Sequence, residues 1–321
     1  QSFQNNASLG SNTIVGAKGG KLQLTLNSVY YLSQPIENVP YDFYLEFLSE
    51  EQRDAELTYA LRQDQQRREG DYASYTKVAI PLCLGDYFGR FRVVGTTPGM
   101  FEQLKFGPDG TRTYEFAEGR NFQRKSQENG FFEAVVGATV AHEMDVEIGD
   151  RISTTHGDPE GEGHGRKFTV VGILASSGTP NDRAAFINME GFFLMKGHAK
   201  PLDEQPLIER HSDAQDAAET TEPVETLQAP AEPKVFSSAK EEQLALEPLP
   251  IEQREVTAIL VRTSGLLDAL MLENGINEGD QAQVVLPVQE IFTLFEVFVK
   301  PVQLVLLVLT AMICVVSGVS I

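Results

Sequence analysis

Residues 155–165 read THGDPEGEGHG, so His156, Asp158, Glu160, Glu162 and His164 are set among glycines and a proline in one short loop between two strand-like segments. Imidazole and carboxylate together suit a borderline divalent ion such as zinc, and a glycine-rich loop can close around one. The ligands this spacing proposes are His156, Asp158 and His164. His198 and His211 follow, so four of the five histidines fall between positions 156 and 211. A solvated hairpin tip has the same polar composition, and the sequence leaves both readings open.

The sequence carries no complete signature of other catalytic chemistry. His142-Glu143 begins like a zinc-protease helix, but Val146 stands where the second histidine would have to share its face. There is no GxxxxGK[ST] phosphate loop, so this chain is not expected to hydrolyse ATP itself. Without a GxSxG elbow or a suggestive Cys-His pair, the expectation is a protein that is not an enzyme.

The elements that would position the loop are mostly strands. KVAIPLCL and FRVVGTT form a predicted pair around the turn signal Gly85-Asp86. EAVVGATVAHEMDVEIGDRIST reads as strand, helix, Gly149-Asp150 turn and strand. KFTVVGILA is a further strand, and AAFINMEGFFLMKG a strand running into a short helix. Thr179 to Arg183 (TPNDR) suits a capped turn with a local Asp-Arg pair, or an edge for docking. Earlier in the chain, KLQLTLNSVYYL mixes both periodicities and stays ambiguous, while residues 41–70 suggest one long helix ending at Gly70. Towards the end, EVTAILVRT predicts a strand, SGLLDALMLENG a helix capped by Ser264 and stopped at Gly275, and QAQVVL a strand.

Between these blocks the composition shifts. Residues 202–253 carry thirteen Asp and Glu against three Lys and Arg, half of the formal net charge of −20. With six prolines after Pro201 and few aromatics, residues 201–252 are expected to be a disordered acidic insertion, because they have little apolar surface to offset chain entropy. It is either a solvated spacer or a site for a cationic partner. The overall charge argues against nucleic acid, which needs clustered Lys and Arg. Cys83 and Cys314 offer no disulfide framework.

Cys314 lies in PVQLVLLVLTAMICVVSGVSI, residues 301–321, an apolar run without a charged residue. About 20 such residues cross a bilayer core of roughly 30 Å, so this is a predicted transmembrane helix in contact with membrane lipid. Just before it, residues 287–300 (PVQEIFTLFEVFVK) place Ile291, Phe295 and Phe298 on one helical face, opposite Glu290, Thr293, Glu296 and Lys300. An amphipathic stalk leading into a membrane span is the expected arrangement. The apolar end suggests a piece of a longer membrane protein.

The stretches IVGAKGGKLQLTLNSVYYL, KVAIPLCLGDYFGRFRVVGTTPGMFE, EFAEGRNF, EAVVGATVAHEMDVEIGDRI and KFTVVGILASSGTPNDRAAFINMEGFF, followed by stalk and span, resemble the FtsX-like permease family, the MacB-type subunits of ABC transporters. The resemblance omits residues 51–73 and 201–250, which look like insertions. It implies an α+β fold: a split α/β porter-like subdomain at residues 38–97 and 253–300, with an inserted β-rich sabre-like subdomain at 98–200. Residues 1–37 would be a membrane-proximal lead-in. It further implies a permease homodimer or heterodimer, a separate cytoplasmic ATP-binding subunit, and a bacterial inner membrane with this domain on the extracytoplasmic side. The expected function is coupling of that subunit's ATP hydrolysis to export or extraction of a hydrophobic or peptide-like substrate. The alternative from another class is a membrane-anchored metal- or ligand-binding sensor module.

Overall fold

Ile14, Leu82, Val94, Phe186 and Leu260 are buried on one face of a mixed β-sheet, and Val15, Cys83, Val93, Ile187 and Ile259, each next to one of them, are buried on the other. Alternation along a strand sends successive side chains to opposite faces. A sheet apolar on both faces needs cover on both, and that requirement organises the rest of the chain.

The computed structural model describes residues 9–32, 34–35, 37–59, 68–107, 110–157, 163, 165–200 and 239–319. Its strands are β1 (Thr13–Gly16), β2 (Val39–Pro40), β3 (Thr76–Phe88), β4 (Phe91–Thr96), β5 (Phe116–Gly119), β6 (Glu133–Val136), β7 (Arg151–Ile152), β8 (Thr155–His156), β9 (Phe168–Leu174), β10 (Ala184–Asn188), β11 (Glu255–Val256), β12 (Ala258–Thr263) and β13 (Gln283–Val285). The helices are α1 (Lys21–Tyr30), α2 (Tyr41–Leu45), α3 (Glu50–Tyr59), α4 (Gly99–Glu102), α5 (Ala138–Met144), α6 (Met189–Phe193), α7 (Ala239–Leu244), α8 (Leu266–Asn277), α9 (Pro287–Leu294) and α10 (Lys300–Val319). This is an α+β chain.

The main sheet runs β13-β1-β12-β3-β4-β10-β6-β9-β5, with β7 on β9 and β8 on β3, while β2 and β11 form a separate pair. The expected lead-in segment thus supplies β1, which lies antiparallel between β12 and β13. Strands from residues 98–200 join the rest along the parallel β4–β10 ladder, Val93 opposite Ala185. Both sequence blocks therefore share one sheet. Tyr41, Tyr44, Leu57, Met189, Phe192, Leu272 and Ile276 bring α2, α3, α6 and α8 to one face, and Leu24, Val29, Met100 and Phe101 bring α1 and α4 to the other.

Several expectations are corrected. Gly85-Asp86 is not the turn: β3 continues through it with a register shift between Leu84 and Tyr87, and the chain reverses at Gly89, whose φ of 55° is left-handed. Residues 41–59 form two helices, because Ser49 starts a new one. Its amide donates to Gln52 Oε1 at 3.2 Å and its Oγ accepts from the Gln52 amide at 3.4 Å, a capping box. Residues 60–67 lie outside the described residues. α8 runs past Gly275 to Asn277, with Gly265 rather than Ser264 at its start.

The acidic insertion is not disordered throughout. Residues 201–238 lie outside the described residues, but α7 follows, with Gln243 Nε2 donating to the Asn129 carbonyl at 3.0 Å and Lys125 Nζ to that of Leu246 at 3.0 Å. Leu246 and Leu249 pack on the core. These leucines supply the apolar anchorage that the average composition concealed.

Candidate metal centre and membrane stalk

The bulge in β3 turns Asp86 into the protein, where it is wholly buried. β8 pairs against it with His156 opposite Asp86. Phe192 in α6 and Met195 just after it are buried, and the chain then brings His198 to the same point, its ring centroid 4.2 Å from that of Phe192. His156 Nδ1 lies 3.1 Å from Asp86 Oδ1, and His198 Nε2 lies 3.4 Å from the same oxygen. One donor atom from each of the three residues falls within 4.8 Å of the others. The second carboxylate oxygen accepts from Thr154 Oγ1 at 2.8 Å. His198 is nearly buried, at 4% side-chain exposure, whereas His156 is open at 61%.

The structure therefore gathers His156 with Asp86 and His198. Asp158 and His164, the partners suggested by the sequence, lie outside the described residues, as do Glu160, Glu162 and His211. Asp86 was missed because Gly85-Asp86 reads as a turn. His198 carried a signal only as a member of the histidine-rich stretch.

A second polar assembly was not foreseen. Arg254, 1% exposed, faces Glu190, 2% exposed. Arg254 Nη1 donates to Glu190 Oε1 at 3.2 Å, and Nη2 makes a charge contact with Oε2 at 3.1 Å. Arg254 Nε donates to the Leu249 carbonyl at 2.5 Å, tying the end of the insertion to this pair. Arg124 approaches Glu190 Oε1 at 3.4 Å and forks onto Glu56 at 2.7 and 2.5 Å, with its guanidinium over the Tyr59 ring. Burial pushes Glu190 above the usual carboxylate range, and the two arginines only partly offset it. For Arg124 burial works against the charge, but Glu56 outweighs it and raises the guanidinium further. The assembly holds α3, α6 and the chain before β11 together.

At Thr179 the capped turn is present, its hydroxyl accepting from the Asn181 amide. The expected Asp-Arg pair is not formed: Asp182 accepts from the Ser177 and Gly178 amides at 2.9 Å each, and Arg183 reaches Glu143 at 3.6 Å. Two consecutive amides satisfy a carboxylate more fully than one solvated guanidinium.

After β13 the chain enters α9, passes through a π-helical stretch at Phe295–Val299, and continues as α10. Pro301 explains the widened turn. It has no amide to donate, and its ring would collide with the carbonyl four residues back in a regular α-helix. Ile291 is buried at 6% exposure where α9 lies against α1, but Phe295 and Phe298 are exposed at 38% and 62%. The expected face is thus divided, with Ile291 on the domain and the two phenylalanines open. Pro287–Val315 is 29 residues long and apolar enough to cross a membrane. At 1.5 Å per residue it spans about 44 Å, more than the roughly 30 Å hydrocarbon core, so it can both cross and project.

A family model described as the MacB-like periplasmic core domain matches residues 25–227. Among solved structures, the periplasmic region of MacB from Actinobacillus actinomycetemcomitans is similar at 10% identity and a TM-score of 0.37, covering 89% of this chain and 93% of that one. The extracellular domain of the noncanonic ABC-type transporter YknZ from Gram-positive bacteria is similar at 9% identity and a TM-score of 0.35, covering 85% and 100%. At these scores the two structures add no argument, and the relationship rests on the family match. No curated protein matches the chain.

Proposed function

Because the chain belongs to the MacB-like periplasmic core domain family, we propose that it is the extracytoplasmic part of an ABC transporter permease subunit whose stalk carries motion between membrane and domain. In this reading a separate cytoplasmic subunit hydrolyses ATP, two permease subunits associate, and the membrane is the bacterial inner membrane. The substrate is hydrophobic or peptide-like, and it is exported or extracted on the extracytoplasmic side. A split into porter-like and sabre-like units, with the β4–β10 ladder between them, belongs to the same proposal.

The observation that supports coupling is the continuous helical path from α9 through the π-helical turn into α10. It starts directly after β13, which pairs with β1. A displacement of α10 is therefore delivered to the sheet rather than absorbed by a loop. Ile291 fixes the domain end, and Phe295 and Phe298 are left to meet lipid or the second subunit.

Insertion of Gly-Gly-Ser after Val299 in the full permease, assembled with its ATPase, tests the proposal. The expected outcome is assembly and ATP hydrolysis close to wild type with transport abolished. Undiminished transport by the insertion variant would refute a mechanical role for the stalk.

A further inference from the structure

Asp86 is a wholly buried carboxylate on which two imidazoles converge, and the three side chains come from separate parts of the chain: the β3 bulge, β8 and the segment after α6. We propose that Asp86, His156 and His198 form a zinc-binding site, with Thr154 as the residue that positions the carboxylate. The site is independent of the transport reading. It differs from the loop-only ligand set suggested by spacing.

Three features support it. Zinc accepts nitrogen and carboxylate oxygen at about 2.0–2.2 Å, which places adjacent donors of a tetrahedron roughly 3.3 Å apart. The two nitrogen-to-oxygen separations, 3.1 and 3.4 Å, already bracket that value. The Thr154 hydroxyl occupies Oδ2, so Oδ1 is the oxygen turned towards both imidazoles, which is the arrangement of an outer-shell partner fixing a ligand. Finally, His198 is held against Phe192 while His156 is largely open to solvent, which leaves one side for an ion to enter and for water to complete the coordination.

One nearby charge opposes binding. Arg92, stacked 4.2 Å over the Tyr87 ring, interacts electrostatically with Asp86. Its field lowers the attraction for a cation, so the expected affinity is on the order of micromolar rather than that of a closed structural zinc site. A bound ion would clip β3, β8 and the segment beyond α6 to one another. It therefore stabilises the folded chain in proportion to its occupancy.

The test is zinc titration by calorimetry on the full chain in detergent micelles, with folding of every variant checked by circular dichroism. One ion per chain is expected, with at least about a 100-fold loss of affinity in H198A and in H156A. T154V should weaken binding by roughly 10-fold, and H142A, an exposed histidine on α5, should bind as wild type. Cobalt(II) substitution of the unaltered chain gives a reading that does not depend on any variant. Intense visible bands of low-coordinate cobalt with nitrogen ligands support the site. Absence of a binding heat in the wild type, unchanged affinity in H198A, or a purely octahedral aquo spectrum for cobalt would overturn it.

Discussion

Replacing Arg254 with methionine removes one member of a pair in which both partners are almost fully buried. Deleting one partner of a buried ion pair costs about 3–5 kcal/mol, because the other charge is left without compensation. Arg124 stays 3.4 Å from Glu190, which favours the lower end, about 3 kcal/mol. Loss of the hydrogen bond to the Leu249 carbonyl adds about 1 kcal/mol. The sum of about 4 kcal/mol is a fall of roughly 700-fold in the folded-to-unfolded ratio, or about 8–16 °C in Tm at 2–4 °C per kcal/mol. Pairing R254M with Glu190→Leu removes the stranded charge and should return stability to within about 2 kcal/mol of wild type. The assay is thermal and urea unfolding followed by circular dichroism.

The same pair sets a pH dependence. Burial raises Glu190 above its unfolded value, so the folded chain holds that proton more tightly, favouring folding at low pH; the advantage is lost as pH rises through the raised value. Removing Arg254 extends this window upward, so the deficit of R254M should grow as pH rises above the unfolded carboxylate value of about 4.3. A single variant losing less than about 1 kcal/mol, or a double variant as unstable as its two singles added together, would refute the reasoning.

Glu133 gives the opposite pH signature: burial alone would raise it, but Arg120, the Gln123 amide and Asn129 hold it below the usual carboxylate value. Its contribution is present above the unfolded value of about 4.3 and lost as pH falls through the depressed one, so Glu133→Gln should flatten the acid limb of a stability profile and cost about 1.5 kcal/mol at neutral pH. Gly137 offers a steric test, since an added Cβ would sit 2.2 Å from the Asn181 carbonyl oxygen. Gly137→Ala should cost about 3 kcal/mol in urea titrations, whereas Gly275→Ala, facing open space in α8, should stabilise by about 0.5–1 kcal/mol.

What the sequence made legible follows a physical divide. Strands such as β9 and β12 are short runs rich in β-branched residues whose pattern is local, and they were readable as such. The apolar stretch that becomes α10 was equally plain. The ligand set was not, because motif spacing records local geometry, whereas neighbours across a sheet can be any distance apart. His156 and Asp86 are 70 positions apart and meet through the β3–β8 register. The Arg254–Glu190 pair is hidden for the same reason, at a separation of 64. Asp86 had a second disguise: a glycine-aspartate pair marks a reversal in most contexts, and only the ladder to β4 shows it to be a bulge. Pro301 tells from the sequence only that one helix amide is missing. How neighbouring backbone adjusts to a missing amide depends on the whole turn, and here it widens to a π-helix.

The position of β1 bears on how the protein is made. Thr13 pairs with Val261, and Ile14 also pairs with Val285 on the opposite side. Both partners leave the ribosome roughly 250 residues later or more, about 12–50 s at bacterial and slower synthesis rates of about 5–20 residues per second. Throughout that interval the first strand has apolar side chains and two unsatisfied backbone edges. Such an edge is a template for pairing with other chains. The sheet cannot close until synthesis reaches the stalk, so the newly made first segment needs shielding by a chaperone or by the membrane-insertion machinery.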